Sequence, residues 1–286
     1  MYLTDMKKLG IICFILASLS VYAQEKEKNS TSHWTTKGVF TLLFNQASFS
    51  NWIAGGENSV AGTVNVNYDF NYKKGDWKWD NKIIGRYGIS NISGTGTRKT
   101  DDLLEFNSLV GKKASNNWSY SFFLNIRTQF TTGYDYSTDP RTETSEFFAP
   151  GFVTFGPGMV YKKSDNFNIN LSPATAKATF VSEQFAGDYG TDPGETSRWE
   201  LGFYASLYYK AILMENVTIE NIFNAYSNYL EDPQNIDLNY QLNFVMQINK
   251  YLSTNLNFHM IIDDNVSSQV QFKQLFGLGV NYIFSE

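Results

Sequence analysis

The chain predicts an all-β fold: a transmembrane antiparallel up-and-down β-barrel of about twelve strands (ten to fourteen), with short periplasmic turns and long extracellular loops. Three observations predict it. Large apolar and polar residues alternate in segment after segment, and almost no segment has a helical period. Aromatic residues make up 16% of the 286, yet mean hydropathy is −0.31. The third observation is a secretory leader. Outside that leader no apolar run approaches the roughly 20 residues a membrane helix needs. A barrel escapes this test, because only every second residue meets lipid.

The leader is read as residues 1–23. Met6-Lys7-Lys8 supplies its charge, Leu9 to Leu19 its apolar stretch, and Val21-Tyr22-Ala23 a small-residue cleavage site before Gln24. Residues 24–35 are then a periplasmic tail and 36–286 the barrel. Cys13 is the single cysteine and lies within the leader, so the exported chain has neither a disulfide nor a thiol nucleophile. No cysteine follows the cleavage site, which argues against a lipid anchor. This implies the outer membrane of a Gram-negative bacterium, with membrane lipid and the barrel-assembly machinery as partners. A net charge of −5 with scattered bases argues against nucleic acid. The oligomeric state is left open.

The first strand is expected near Lys37–Gln46 and the second near Ser59–Tyr72. In the second, Val60, Val64, Val66, Tyr68, Phe70 and Tyr72 oppose Ala61, Thr63, Asn65, Asn67, Asp69 and Asn71. The third, Trp77–Ile89, sets Trp77, Trp79, Ile83 and Tyr87 against Lys78, Asp80, Lys82 and Arg86. The fourth covers Leu103–Val110. The fifth sets Trp118, Tyr120, Phe122, Leu124, Ile126 and Phe130 against polar neighbours. A sixth near Phe147–Tyr161 is broken by Gly and Pro, and a seventh covers Phe167–Ser172. The eighth alternates from Trp199 to Tyr209, and the ninth lies near Val217–Tyr226. Ile236–Ile248, Leu252–Ile262 and Val270–Phe284 complete the set.

Connections alternate in length. Lys73–Asp76, Gly111–Asn117, Lys162–Asn166, Met214–Asn216 and Asn249–Tyr251 are short. Ala47–Asn58, Asn91–Asp102, Thr131–Glu146, Pro173–Arg198, Ser227–Asn235 and Asp263–Gln269 are longer. Short turns at one end and long loops at the other suit bacterial barrels. The last strand, with Gly279, Tyr282 and Phe284, resembles the terminal signal by which such barrels are recognised for assembly. A soluble β-sandwich also alternates. Against it stand the aromatic richness of the apolar face and the clustering of Trp77, Trp118, Trp199, Tyr72 and Tyr209 at strand ends, as in interfacial girdles.

The stretch from Phe44 to Ser59, with its Asn51-Trp52-Ile53-Ala54-Gly55-Gly56-Glu57-Asn58 core, resembles the uncharacterised family called domain of unknown function 3078, typical of Bacteroidota. Tyr72 to Asn81 and Arg86-Tyr87-Gly88 resemble its next hairpin. The resemblance is expected to run from about Trp34 to the end. It implies a secreted, outer-membrane, β-rich protein, and supplies no catalytic residue, ligand or cofactor.

Two sets of residues are candidates for function. In the loop, Asn51, Trp52, Gly55, Gly56, Glu57 and Asn58 either touch a ligand at the mouth or form a tight turn anchored by Trp52. On the polar face, Asp69, Lys78, Asp80, Lys82, Arg86, Glu105, Arg127, Glu200, Lys210, Glu220, Asp237, His259 and Lys273 are expected to face the lumen. Their balanced signs either pair as a plug or line a narrow pore with weak ion selectivity.

The expected function is therefore a small pore or transporter for small solutes. The alternative is a non-conducting barrel whose long loops bind a partner. A hydrolase is remote, since His33 lies in the tail and His259 has no assignable partner. No catalytic residue, metal or cofactor is assigned. Asp263-Asp264-Asn265 and Asp188…Asp192 offer carboxylates to calcium, but neither has the spacing of a recognised loop.

Overall fold

The structure, a computed structural model, describes residues 32–48 and 57–285. The leader, Cys13, most of the tail, and Asn51, Trp52, Gly55 and Gly56 lie outside the described residues.

The described chain folds as β1 (Trp34–Ala47), β2 (Ser59–Lys74), β3 (Trp77–Ile92), β4 (Gly96–Lys113) and β5 (Trp118–Thr128). A hairpin of β6 (Gly133–Asp135) and β7 (Thr142–Ser145) follows. Then come β8 (Gly151–Ser164), β9 (Phe167–Phe180), β10 (Ser197–Met214), β11 (Val217–Asn228), β12 (Ile236–Gln247), β13 (Leu252–Asp263) and β14 (Ser267–Ser285). Every strand except β6 and β7 joins one antiparallel ladder, and β1 pairs with both β2 and β14 to close it into a twelve-strand barrel. Among the described residues, closure leaves the barrel itself without an unpaired sheet edge.

The barrel is inside out relative to a soluble protein. Among the described residues, more polar and charged side chains than apolar ones are buried. Tyr120, Phe122, Val270, Phe272, Phe276 and Tyr282 stand exposed on the outer wall. A soluble monomer rarely shows a continuous apolar surface of this kind, whereas lipid tails satisfy it. Aromatic contacts ring both ends. At the short-turn end Trp34 packs at a tilt against Tyr72 and Trp79, with centroids 5.2 and 5.7 Å away, and Trp118 against Tyr161 at 5.2 Å. At the loop end Trp199 meets Phe180 edge-on at 5.9 Å.

The strands run further toward the loop end than alternation suggests. Asn91–Asp102, read as a long loop, is mostly ladder. β3 continues to Ile92 and β4 begins at Gly96, with the Thr95 amide donating to the Ile92 carbonyl at 3.0 Å. Gly94 and Gly96, both at φ 84°, make the tight turn. Pro173–Arg198 likewise gives its first residues to β9, and Asp263–Gln269 shrinks to a turn before β14. Beyond the lipid zone both faces of a strand are wet, so pairing persists where apolar alternation stops.

The irregular middle has a local cause. Between Phe155↔Ala176 and Met159↔Leu171 the β8–β9 ladder is interrupted. Pro157 and Pro173 lie in this gap and cannot donate to a ladder. The Ser172 hydroxyl donates instead to the Pro157 carbonyl. A Cβ on Gly158 would lie 2.4 Å from the Leu171 carbonyl oxygen, so glycine allows the two walls to close here.

Gly202 in β10 is tighter still. A Cβ there would lie 2.0 Å from the Ser227 carbonyl oxygen. Gly202→Ala is expected to lower barrel stability by about 1–3 kcal/mol through overpacking. A lower urea midpoint of the folded gel species checks this, and an unchanged midpoint contradicts it.

The outer loops carry a small core of Ala149, Val181 and Phe185, against which Tyr189 packs. The Tyr189 hydroxyl donates to the Thr144 carbonyl, and burial pushes its phenol upward from the usual value.

Candidate functional site: the crossed lumen

Side chains on strands that are not neighbours in a closed barrel can meet only through its interior. Several do. Lys273 on β14 reaches Asp101 on β4 at 2.9 Å, across three intervening strands. Phe123 on β5 stacks on Tyr204 on β10, with centroids 4.7 Å apart and planes 19° off parallel. Lys162 on β8 lies 3.9 Å from Asp80 on β3. The polar faces therefore point inward, and their side chains span the lumen.

From the short-turn end upward, Lys162 also reaches Asp165 in the β8–β9 turn, at 3.1 Å. That ammonium holds the Asp165 carboxyl below the usual carboxylate range. Lys78 is exposed near the start of β3, and Lys210 is exposed opposite Glu220 in the ladder. Lys82 lies 3.9 Å from Asp69. Glu220 accepts from the Tyr208 hydroxyl at 2.7 Å and the Asn243 amide at 3.1 Å. Glu105 accepts from Asn107 and Asn125, while the Arg127 guanidinium lies 4.9 Å from the Phe152 ring centre. The Phe123–Tyr204 pair sits among these, and the Tyr204 hydroxyl donates to Asn224 at 2.8 Å.

Higher up, Asp101 is held by Lys273 and, at 3.5 Å, by Arg86; its side chain is 1% exposed. His259 Nε2 lies 3.0 Å from Asn239 Oδ1, an amide rather than a serine hydroxyl. At the loop end Lys177 gathers three carboxylates: Asp237 at 2.7 Å, Glu200 at 3.5 Å and Asp263 at 3.6 Å. Arg198 bridges Glu200 at 3.5 Å and Glu231 at 2.8 Å. Glu57 and Asn58, from the loop motif, are exposed where β2 begins, and the Asn58 carbonyl accepts from the Ser93 amide.

Sequence reasoning did not place several members of this network in the lumen, although it noted Asp263 among acidic loop residues. Asp101, Lys177 and Asp263 fell inside segments read as loops. Phe123 is an aromatic on a polar face, and its signal is the Phe122-Phe123 doublet that interrupts strict alternation.

Residues 44–134 match the family described as "Protein of unknown function (DUF3078)". The match runs from the end of β1 into β6, a shorter span than the resemblance suggested. No curated protein matches the chain. Among solved structures, the chain is similar to the COG4313 outer membrane channel from Pseudomonas putida F1, at 10% identity and TM-score 0.41, covering 92% of this chain and 100% of that one. It is also similar to the translocator domain of autotransporter NalP from Neisseria meningitidis, at 10% identity and TM-score 0.36, with 98% of each chain covered. A third is the Pseudomonas putida toluene transporter TodX, at 8% identity and TM-score 0.33, covering 90% and 89%.

Proposed function

We propose that this chain is an integral outer-membrane β-barrel that passes small polar solutes only when a side-chain barrier across its lumen parts. The apolar outer wall and aromatic rings at both ends support the membrane placement. The barrier rests chiefly on the Phe123–Tyr204 stack, which reaches through the interior from β5 to β10, past β8 and β9. Its surroundings are polar and carry both signs of charge, which suits a hydrated route of weak ion selectivity once opened.

Planar-bilayer recording of the purified chain tests this. The expected result is a mostly silent protein with rare, discrete openings and a reversal potential near zero in a potassium chloride gradient. Large steady currents would contradict a resting barrier, and strong anion or cation preference would contradict the charge balance.

The second reading, a non-conducting barrel that binds a partner, is favoured by the β6–β7 hairpin. There Arg141 lies 4.0 Å from the Tyr134 ring centre and Arg98 5.0 Å from that of Tyr136, a cation–aromatic pair of platforms in the loop region. An enzymatic role is not part of the proposal, because His259 is engaged by Asn239.

A further inference from the structure

Lysine doublets close strands on one side of the barrel. Lys73-Lys74 ends β2, Lys112-Lys113 ends β4, and Lys162-Lys163 lies near the end of β8. All of these are short-turn ends, and the three strands alternate along the run β2-β3-β4-β5-β8. A doublet in a strand puts one side chain on each face. Lys73 pairs with Lys78 and Lys113 with Ser119, on the lumenal parity. Lys74 pairs with Trp77, Trp77 with Lys112, and Lys112 with Tyr120. Residues directly opposite in a ladder share a face, and Trp77 and Tyr120 stand exposed on the outer wall. Lys74 and Lys112 therefore face outward, one on each side of Trp77.

That position is unusual on this wall. Among the described residues, the other charged side chains at outward ladder positions of the barrel are Lys99 and Asp102, at the loop end. Those two pair with each other at 2.8 Å. Lys74 and Lys112 form no ion pair among the described residues. A lysine that faces lipid is costly in the hydrocarbon and tolerated near the interface. There its stem lies on the wall and its ammonium reaches the headgroups. Tryptophan favours the same depth, and the Lys112 ammonium lies 5.6 Å from the Trp77 ring centre.

The two lysines border an open hollow of about 370 Å³, lined by Tyr72, Lys74, Gly75, Asp76, Trp77 and Lys112. Tyr72 and Trp77 give it aromatic surface. Two cations against the single acid, Asp76, leave the lining with a net charge of +1. Such a surface complements an amphiphile whose headgroup is negative. Its glycerol and first acyl carbons lie on the rings, and its phosphate oxygens accept from the two ammonium groups. A wall position at this depth meets lipid before it meets any soluble partner.

We propose that Lys74, Trp77 and Lys112 bind the headgroup of an acidic phospholipid in the leaflet that meets the short turns. The site rests on the membrane placement argued above. A lipid held there fixes the depth of this side of the barrel.

Native mass spectrometry of the folded full-length barrel in detergent, titrated with phosphatidylglycerol or phosphatidylcholine, tests the site. One phosphatidylglycerol is expected to stay bound per barrel, about tenfold more tightly than phosphatidylcholine. Lys74→Gln combined with Lys112→Gln is expected to weaken phosphatidylglycerol binding by about fivefold per lysine, the worth of one basic residue at an anionic surface. Lys73→Gln combined with Lys113→Gln removes the same charge from the same strand ends, but on the lumenal face, and should change binding far less. Should the outward pair of substitutions fail to fold, the wild-type preference between the two lipids decides alone. A chain that neither floats with lipid vesicles nor shifts on gels after heating overturns the membrane placement, and this site with it. A barrel that floats and shifts, yet holds phosphatidylglycerol no better than phosphatidylcholine, overturns the site alone. So does a lumenal pair of substitutions that loses as much lipid as the outward pair.

Discussion

Replacing Phe123 and Tyr204 together by alanine is expected to turn a mostly silent barrel into one with steady, stepwise conductance. The two rings stack at 4.7 Å from β5 and β10, strands separated by β8 and β9, so the contact projects into the lumen rather than lying along one ladder. Phe123 is 7% exposed, which leaves little water beside it. Deleting both rings removes the largest side chains at that level and leaves Asn125, Asn224 and Glu105 as the facing groups, all of them hydratable. Tyr204→Phe should have a smaller effect, because it keeps the ring and loses only the bond to Asn224. Truncation of buried aromatics costs about 3–5 kcal/mol, so the heat-modified gel shift must accompany the recording. A folded double variant that stays silent would move the barrier elsewhere and favour the loop-binding reading.

The strands were legible in the sequence because the membrane imposes a strict rule. Every second residue must suit lipid, and from Val60 to Tyr72 or Trp118 to Ile126 this leaves a period of two that no helix shares. What alternation marks, however, is the lipid zone and not the ladder. Asp101, Lys177 and Asp263 lie where strands rise beyond lipid, and their polar neighbours resemble loop sequence. Nor does parity tell which inward residues meet. Asp101 and Lys273 are 172 positions apart and come together only when β1 closes on β14. The Phe123–Tyr204 barrier was hidden for a related reason. An aromatic on a wet face looks like an exception until a strand that is not its ladder neighbour supplies its partner.

The charge cluster at the mouth yields the second large effect. Lys177→Met keeps the bulk of the side chain and removes its charge. Three carboxylates then face one another, with Arg198 touching Glu200 alone among them. Breaking a buried ionic network by deleting one partner typically costs about 3–5 kcal/mol, since the charges left behind are neither solvated nor paired. The urea midpoint of the folded species should fall accordingly. Adding Asp237→Asn should recover part of the loss, because the closest of the three carboxylates no longer carries charge. If Lys177 only fills space, Lys177→Met is neutral and Asp237→Asn rescues nothing.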